Sequence, residues 1–262
     1  MLPPAVQARL DALIATGELP LPLLPEAAAQ VLAMVQRPDC DARRLAELVR
    51  RDPAMTAHVM QIAGSPLYGA ATKISSLQQA IGRVGFAAIV QVALVVASKA
   101  RVFRVAGFDA EVKAAFAHAL ATALYAQEIA RMRRSPVDAA FLAGLFHDFG
   151  QPVLMQAIID LCEEPVDREA VIEAVEATHT VVGATLVDAW GMPPKVAEAV
   201  RRHHDASGCE LAMVVAVADW FATGMPEPAP QVLTAQLNLY PADVAAIAAR
   251  ADDIAATVAV IA

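Results

Sequence analysis

Three observations predict an all-α protein. Hydrophobic residues fill 57% of the 262 positions while aromatic ones fill only 5%, a mixture rich in Ala and Leu that suits close helix packing and leaves few β-branched or aromatic runs for strands. Apolar residues recur at helical spacing in one segment after another. The breaks between those segments carry Pro, Gly, Asp or Ser, the residues that stop and start helices. A chain of this length can bury one large core or two smaller ones.

Taken in order, the first stretch is short and amphipathic, and Pro20, Pro22 and Pro25 then forbid a continuous helix. Helical patterns follow over Glu26 to Gln36, Asp41 to Arg51 and Pro53 to Ala63, and Gly64-Ser65-Pro66 reads as a turn. Ser76 with Gln79 forms a capping box that opens a short helix ending near Gly85. The most apolar run, from Phe86, predicts a buried helix to Phe103; it is interrupted by Gln91 and falls short of the ~20 residues a bilayer demands. The pattern pauses at Val105 to Asp109. Beyond it, helices are expected from Asp109 to about Met132, through the stretch Ala139 to Val153, up to Leu161, from 167 to 190, from Pro193 to His204, from Glu210 to Thr223, and after Pro241, with a proline-rich loop over 226 to 230.

Charge changes sign across the pause. Residues 1–110 hold eleven Lys and Arg against eight Asp and Glu, a balance of +3, whereas residues 111–262 hold nine against twenty, a balance of −11. An acidic half with no basic stripe disfavours direct contact with nucleic acid and favours cations. Cys40, Cys162 and Cys209 have no CxxC spacing, so they read as reduced packing residues rather than a disulfide framework or a thiolate zinc site. The N-terminus shows no export signal, from which a cytoplasmic location without a membrane anchor is expected.

The chemistry centres on AAFLAGLFHDFGQPV, where His147 and Asp148 stand at a helix exit. Ser135 is expected to cap that helix, Pro136 and Asp138 to fit its first turn, and Gly150 to end it. Neutral imidazole nitrogen and anionic carboxylate both donate to a divalent cation. Helix bundles build metal sites from inward-facing side chains, and His118, His147, Asp148, His179, His203, His204 and Asp219 can supply such a shell for one or two ions. Asp219 lies within VVAVADWF, where a carboxylate needs a partner or a cation. Singly, each residue has an ordinary reading: His118 as a hydrogen-bonded core histidine, His147 with Asp148 as a metal-free pair, and His203 and His204 pointing about 100° apart on a helix. His58 reads as packing, and the arginines at 131, 133, 134, 201 and 202 as solvated helix ends, with an anion or phosphate contact as the alternative. Trp190, Trp220 and Tyr125 read as core or interlobe residues.

The series His118, His147-Asp148, His179, His203-His204, Asp219 resembles the metal-dependent phosphohydrolases called HD domains, most of all their HD-GYP branch. Three departures stand out: Gln151 where HDxGK has Lys, no GYP after His204, and Ala114 in place of a Glu one turn before the first His. The stretch LPLLPEAAAQVLAMVQRPDCDARRLAELVRRDPAMTAHVMQIAGSPLYG, with ISSLQQAIGRVGFAAIVQVAL, closely resembles the start of the HDOD domain, the HD-related output domain of bacterial signalling proteins. With ATHTVVGATLVDAWGMPPKVAEAVRRHH, the resemblance covers roughly residues 19–225.

That resemblance implies an all-α fold of two helical lobes: an extension over 1–18, an N-terminal lobe over 19–108, an HD-like lobe over 109–225 and a C-terminal loop and helices over 226–262. It implies a regulatory role exercised through signalling proteins, non-catalytic in many members, with a homodimer left open. The retained donor set points to iron, manganese, zinc or nickel, one ion or two. The alternative is a metal-dependent phosphohydrolase or cyclic-dinucleotide-type phosphodiesterase, against which Gln151 counts, since a neutral amide stabilises a phosphoryl anion less well than an ammonium.

Overall fold

The computed structural model describes residues 1–35, 37–64, 74–101 and 105–261. These residues form fifteen α-helices and no strand: α1 (Pro4–Thr16), α2 (Glu26–Val35), α3 (Ala42–Val49), α4 (Pro53–Ala63), α5 (Leu77–Val84), α6 (Phe86–Arg101), α7 (Asp109–Arg133), α8 (Val137–Phe146), α9 (Gly150–Leu161), α10 (Arg168–Ala189), α11 (Pro194–Arg202), α12 (Glu210–Ala222), α13 (Gln231–Gln236), α14 (Pro241–Ala248) and α15 (Ala251–Ile261). The all-helical expectation holds. The chain divides into two compact units, Met1–Leu23 with Val102–Ala248, and Leu24–Arg101 with Ala249–Ala262.

In the smaller unit, α2 packs on α3 and α6, α4 on α5 and α6, and α15 on α4. Its helices start where short acceptors meet exposed amides: Asp41 takes the Arg44 N–H at 2.8 Å, Asp52 the Met55 N–H at 3.0 Å and Ser76 the Gln79 N–H at 3.2 Å. Only half of the expected capping box forms, because the Gln79 carboxamide accepts from the amide and hydroxyl of Ser75 rather than from Ser76. The apolar run of α6 is buried as expected, with Ile89, Ala93 and Leu94 wholly enclosed. Phe103, and Ser65 and Pro66 of the expected turn, lie outside the described residues.

In the larger unit, α7 is the spine, with α8 and α12 against it; α11 touches α8, α10 and α12, and α9 lies on α10 and α1. Close approach of α8 to α7 depends on Gly144, where a Cβ would come within 2.8 Å of the Ala123 Cα. Two expectations for α8 are corrected. Its N-cap is Pro136, not Ser135, whose hydroxyl turns back to the Ala130 carbonyl. Gly150 does not end α8, which stops at Phe146; it begins α9, so His147, Asp148 and Phe149 form the tight turn between two helices. The proline-rich loop over 226–230 is non-helical as expected, and a short helix that the sequence did not announce, α13, follows it. Among the described residues, α10 is the single straight helix long and apolar enough by composition to span a bilayer, and half of that stretch is buried.

Candidate metal centre

The turn between α8 and α9 is held from both sides. Phe146 and Phe149 flank the His-Asp pair, are both fully buried and stack edge-on at 4.9 Å. Trp190 closes the group at 5.8 Å from Phe146 and 6.4 Å from Phe149, and its indole N–H donates to the Pro22 carbonyl at 2.8 Å. Each such aromatic ring contributes about 2–3 kcal/mol by leaving water. The core therefore fixes the backbone on either side of the pair, and His147 and Asp148 have little freedom left.

Three imidazoles then converge on Asp148. The distances from Nε2 to a carboxylate oxygen are 3.3 Å for His147, 3.3 Å for His179 and 3.5 Å for His203. In each ring the other nitrogen faces a carbonyl: His147 Nδ1 donates to Gly144 at 2.8 Å, His203 Nδ1 to Val200 at 2.7 Å, and His179 Nδ1 to Glu176 and Val175 at 3.1 and 3.2 Å. A carbonyl oxygen can only accept, so Nδ1 carries the hydrogen and a neutral ring presents a bare Nε2 lone pair to the centre. The Nε2 atoms of His147 and His203 are buried without a hydrogen-bond partner. Buried polar atoms rarely stay so.

The other donors complete the group. His118, on α7, pairs with Asp219 of α12 at 2.8 Å, and its ring lies 5.4 Å from that of His147. Asp219 thus finds the partner its apolar surroundings called for, although a third of its side chain remains exposed. His204 Nε2 lies 3.1 Å from His179 Nε2, and the rings of His203 and His204 are 4.1 Å apart. α11 ends at Arg202, so His203 is its C-cap, still in helical backbone conformation, and His204 follows in the turn, yet both rings reach the group. All seven side chains lie within one connected group. Two sets of three donors, His118/His147/Asp148 and His179/His203/His204, each have their ligand atoms within 4.8 Å of one another.

Electrostatics follow the geometry. Burial opposes charge on His147, but the adjoining Asp148 carboxylate, with a smaller pull from Asp219, outweighs it and pushes the imidazole up to about 9. Burial likewise opposes charge on Asp148, yet His147, with His179 and His203, holds it well below the usual carboxylate range. His179 is raised against burial by Asp148, and Asp219 is lowered against burial by His118. His204 is lowered by burial and by its neighbours His203 and His179. Without a cation, protons must balance two carboxylates.

A divalent cation fits these donors. Atoms that share one such ion at ~2.0–2.2 Å stand about 3.0–3.5 Å apart, which is the spacing of the Nε2 atoms from Asp148. Once the second proton leaves, each ring turns an Nε2 lone pair inward, and the orphaned nitrogens gain a partner. Among the described residues, the ion pairs of Asp148 and Asp219 are with histidines alone. Gln151 is half-buried at the start of α9, with its N–H on the Asp148 carbonyl at 2.9 Å. The sequence reading missed the carbonyls that orient the rings, the aromatic anchors of the turn, and Thr223, whose hydroxyl donates to the Asp219 carbonyl at 2.8 Å. Of the arginines read as solvated ends, Arg133 is instead mostly buried and pairs with Glu210 at 2.7 Å.

A family model described as the HDOD domain matches residues 21–206. The chain belongs to the HDOD family. Among solved structures, this HDOD chain is similar to one from Shewanella amazonensis SB2B provisionally described as a metal-dependent phosphohydrolase, with TM-score 0.79 and 23% identity over 97% of this chain and 98% of the other. An HDOD domain protein of unknown function from Geobacter sulfurreducens matches with TM-score 0.71 and 23% identity, covering 97% of both chains. A protein from Marinobacter aquaeolei VT8 provisionally described as acting in signal transduction matches with TM-score 0.66 and 24% identity, over 98% of this chain and 66% of that one. At such identities the likeness speaks to the fold. In sequence, an uncharacterized protein of Treponema pallidum is 24% identical over 208 residues, 75% of this chain. Ribonuclease Y of Thermus thermophilus is 34% identical over 94 residues, 34% of this chain. The HDOD chain spans 40% and 13% of the lengths of these two relatives.

Proposed function

We propose that this HDOD protein is a metal-binding regulatory module that acts through protein partners in signal transduction and does not turn over a phosphoester as its main task. The observation that carries the reading is the inward convergence of Nε2 atoms on Asp148, two of them buried without a hydrogen-bond partner. His147, Asp148, His179 and His203 would hold the principal ion, and His118, Asp219 and His204 would extend the site toward a second. Iron, manganese, zinc and nickel all suit imidazole with carboxylate. Bound there, such an ion would act as a Lewis acid toward a phosphoryl oxygen and acidify a water.

The same donor set supports a second reading, a metal-dependent phosphohydrolase or cyclic-dinucleotide-type phosphodiesterase. Two adjoining triads favour it. Against it stands Gln151, a neutral amide where the resembling motif carries Lys, with no arginine or lysine among the described residues paired to either central carboxylate. Positioned cations supply much of the stabilisation a phosphoryl transition state needs.

Elemental analysis of protein purified without added metal tests the site, and the His147→Ala, Asp148→Ala double variant should lose what the parent holds. Turnover of a generic phosphodiester with manganese or iron, abolished in that variant, would favour the enzyme over the module. Stoichiometric metal with no turnover would favour the module.

A further inference from the structure

Two glycines lie where three of the imidazole-bearing segments meet. A Cβ placed on Gly150 would stand 1.9 Å from the His179 carbonyl oxygen, 2.7 Å from its carbon and 2.8 Å from the Gly183 nitrogen. One placed on Gly183 would stand 3.2 Å from the Gly150 nitrogen and 3.2 Å from Val200 Cγ1. Neither glycine has a positive φ, so neither is needed for its own backbone conformation. The close approach requires Gly150, and Gly183 makes it tight from the other side.

This approach differs from an ordinary helix seam in what it touches. Gly150 rests on the peptide of His179 itself and follows Asp148 by two residues; Val200, against Gly183, is the residue whose carbonyl orients the His203 ring at 2.7 Å. The node thus ties together the backbone under Asp148, His179 and His203. We infer that Gly150, supported by Gly183, is a positioning residue that sets the separation of Asp148 from the His179 and His203 imidazoles; its importance for metal rests on the metal-binding reading above. A methyl group at 150 must displace the start of α9 from α10 by more than about 1 Å to restore ordinary contact. Donors now 3.3 and 3.5 Å apart would then exceed the span of one ion.

The test compares Gly150→Ala with Ile158→Ala, a cavity variant at a fully buried position on the same helix, by thermal melting, by titration with zinc, and by the side-chain ¹⁵N signals of the histidines in metal-free protein. Gly150→Ala is expected to bind zinc about 10- to 100-fold more weakly, the range found when an outer partner of a ligand is lost, and to displace the His179 and His203 signals. Ile158→Ala is expected to melt earlier yet keep both. Wild-type affinity and signals in Gly150→Ala, or equal zinc loss in Ile158→Ala, overturns the inference. A parent protein that takes up no zinc sinks the metal-binding reading alone, because the metal-free ring signals still decide the placement. Should Gly150→Ala fail to fold, Gly183→Ala, with its milder 3.2 Å contacts, should show a smaller change in the same direction; no change there overturns the inference as well.

Discussion

The inner and outer histidines of the site differ in how much of their geometry the fold dictates. His147, His179 and His203 are buried, with Nδ1 held by a backbone carbonyl and Nε2 aimed at Asp148. His118 is half-buried and answers to a side chain, Asp219, while His204 is exposed and answers to His179. The inner three are set before any ligand arrives, so little ordering entropy is lost on binding. The outer two keep freedom to move. Affinity should therefore reside in the inner set, and access or a second ion in the outer.

The largest break in that contrast is expected from Asp148→Asn. It should leave the protein without bound metal and destabilise the metal-free form by roughly 3 kcal/mol, since one partner of a buried charged group is removed; denaturant titration and elemental analysis read both. Metal retained at parental level would show that Asp148 is not the hub. Next in size, His203→Ala should weaken metal binding by about 100-fold or more, beyond the effect of losing an outer partner. His118→Ala should cost less, lowering the number of ions bound before it lowers the affinity of the first. His204→Ala should cost least, about tenfold or below, and equal losses at 203 and 204 would erase the distinction between inner and outer rings.

Acidity sharpens the same comparison. His147 rises from 6.5 to about 9 on folding, so its contribution to the stability of metal-free protein is full below about 6.5 and fades as pH climbs through about 9. Asp148 is depressed, so its contribution is present above the ordinary carboxylate range and disappears on strong acidification. Melting temperatures of chelator-treated protein should accordingly fall between about pH 6.5 and 9, and Asp148→Asn should flatten that slope. Metal affinity should move the other way and rise with pH, as protons leave the imidazoles.

Much of the site was legible because its chemistry is spelled in residue types. A His-Asp pair, five histidines in an acidic half and a carboxylate in an apolar helix are each visible without coordinates, and Asp219 did find its partner in His118. Gly150 was misread for a physical reason. Glycine after an apolar helix is commonly a stop signal, and local sequence does not reveal that another helix's peptide lies against its Cα. The half-formed box at Ser76 is similar, since competition from Ser75 is a matter of loop geometry.

Local physics, then, determined the helices: period, caps such as Asp41 and Asp52, and proline breaks act within a few residues and can be read along the chain. Composition also determined which donors exist and in what order. Tertiary structure alone decided that segments from α7, the α8–α9 turn, α10, the end of α11 and α12 bring those donors to one place, and which ring nitrogen faces the carboxylate. Such convergence depends on helix crossings and on glycine contacts between residues far apart in sequence, where backbone meets backbone and no periodicity records the meeting.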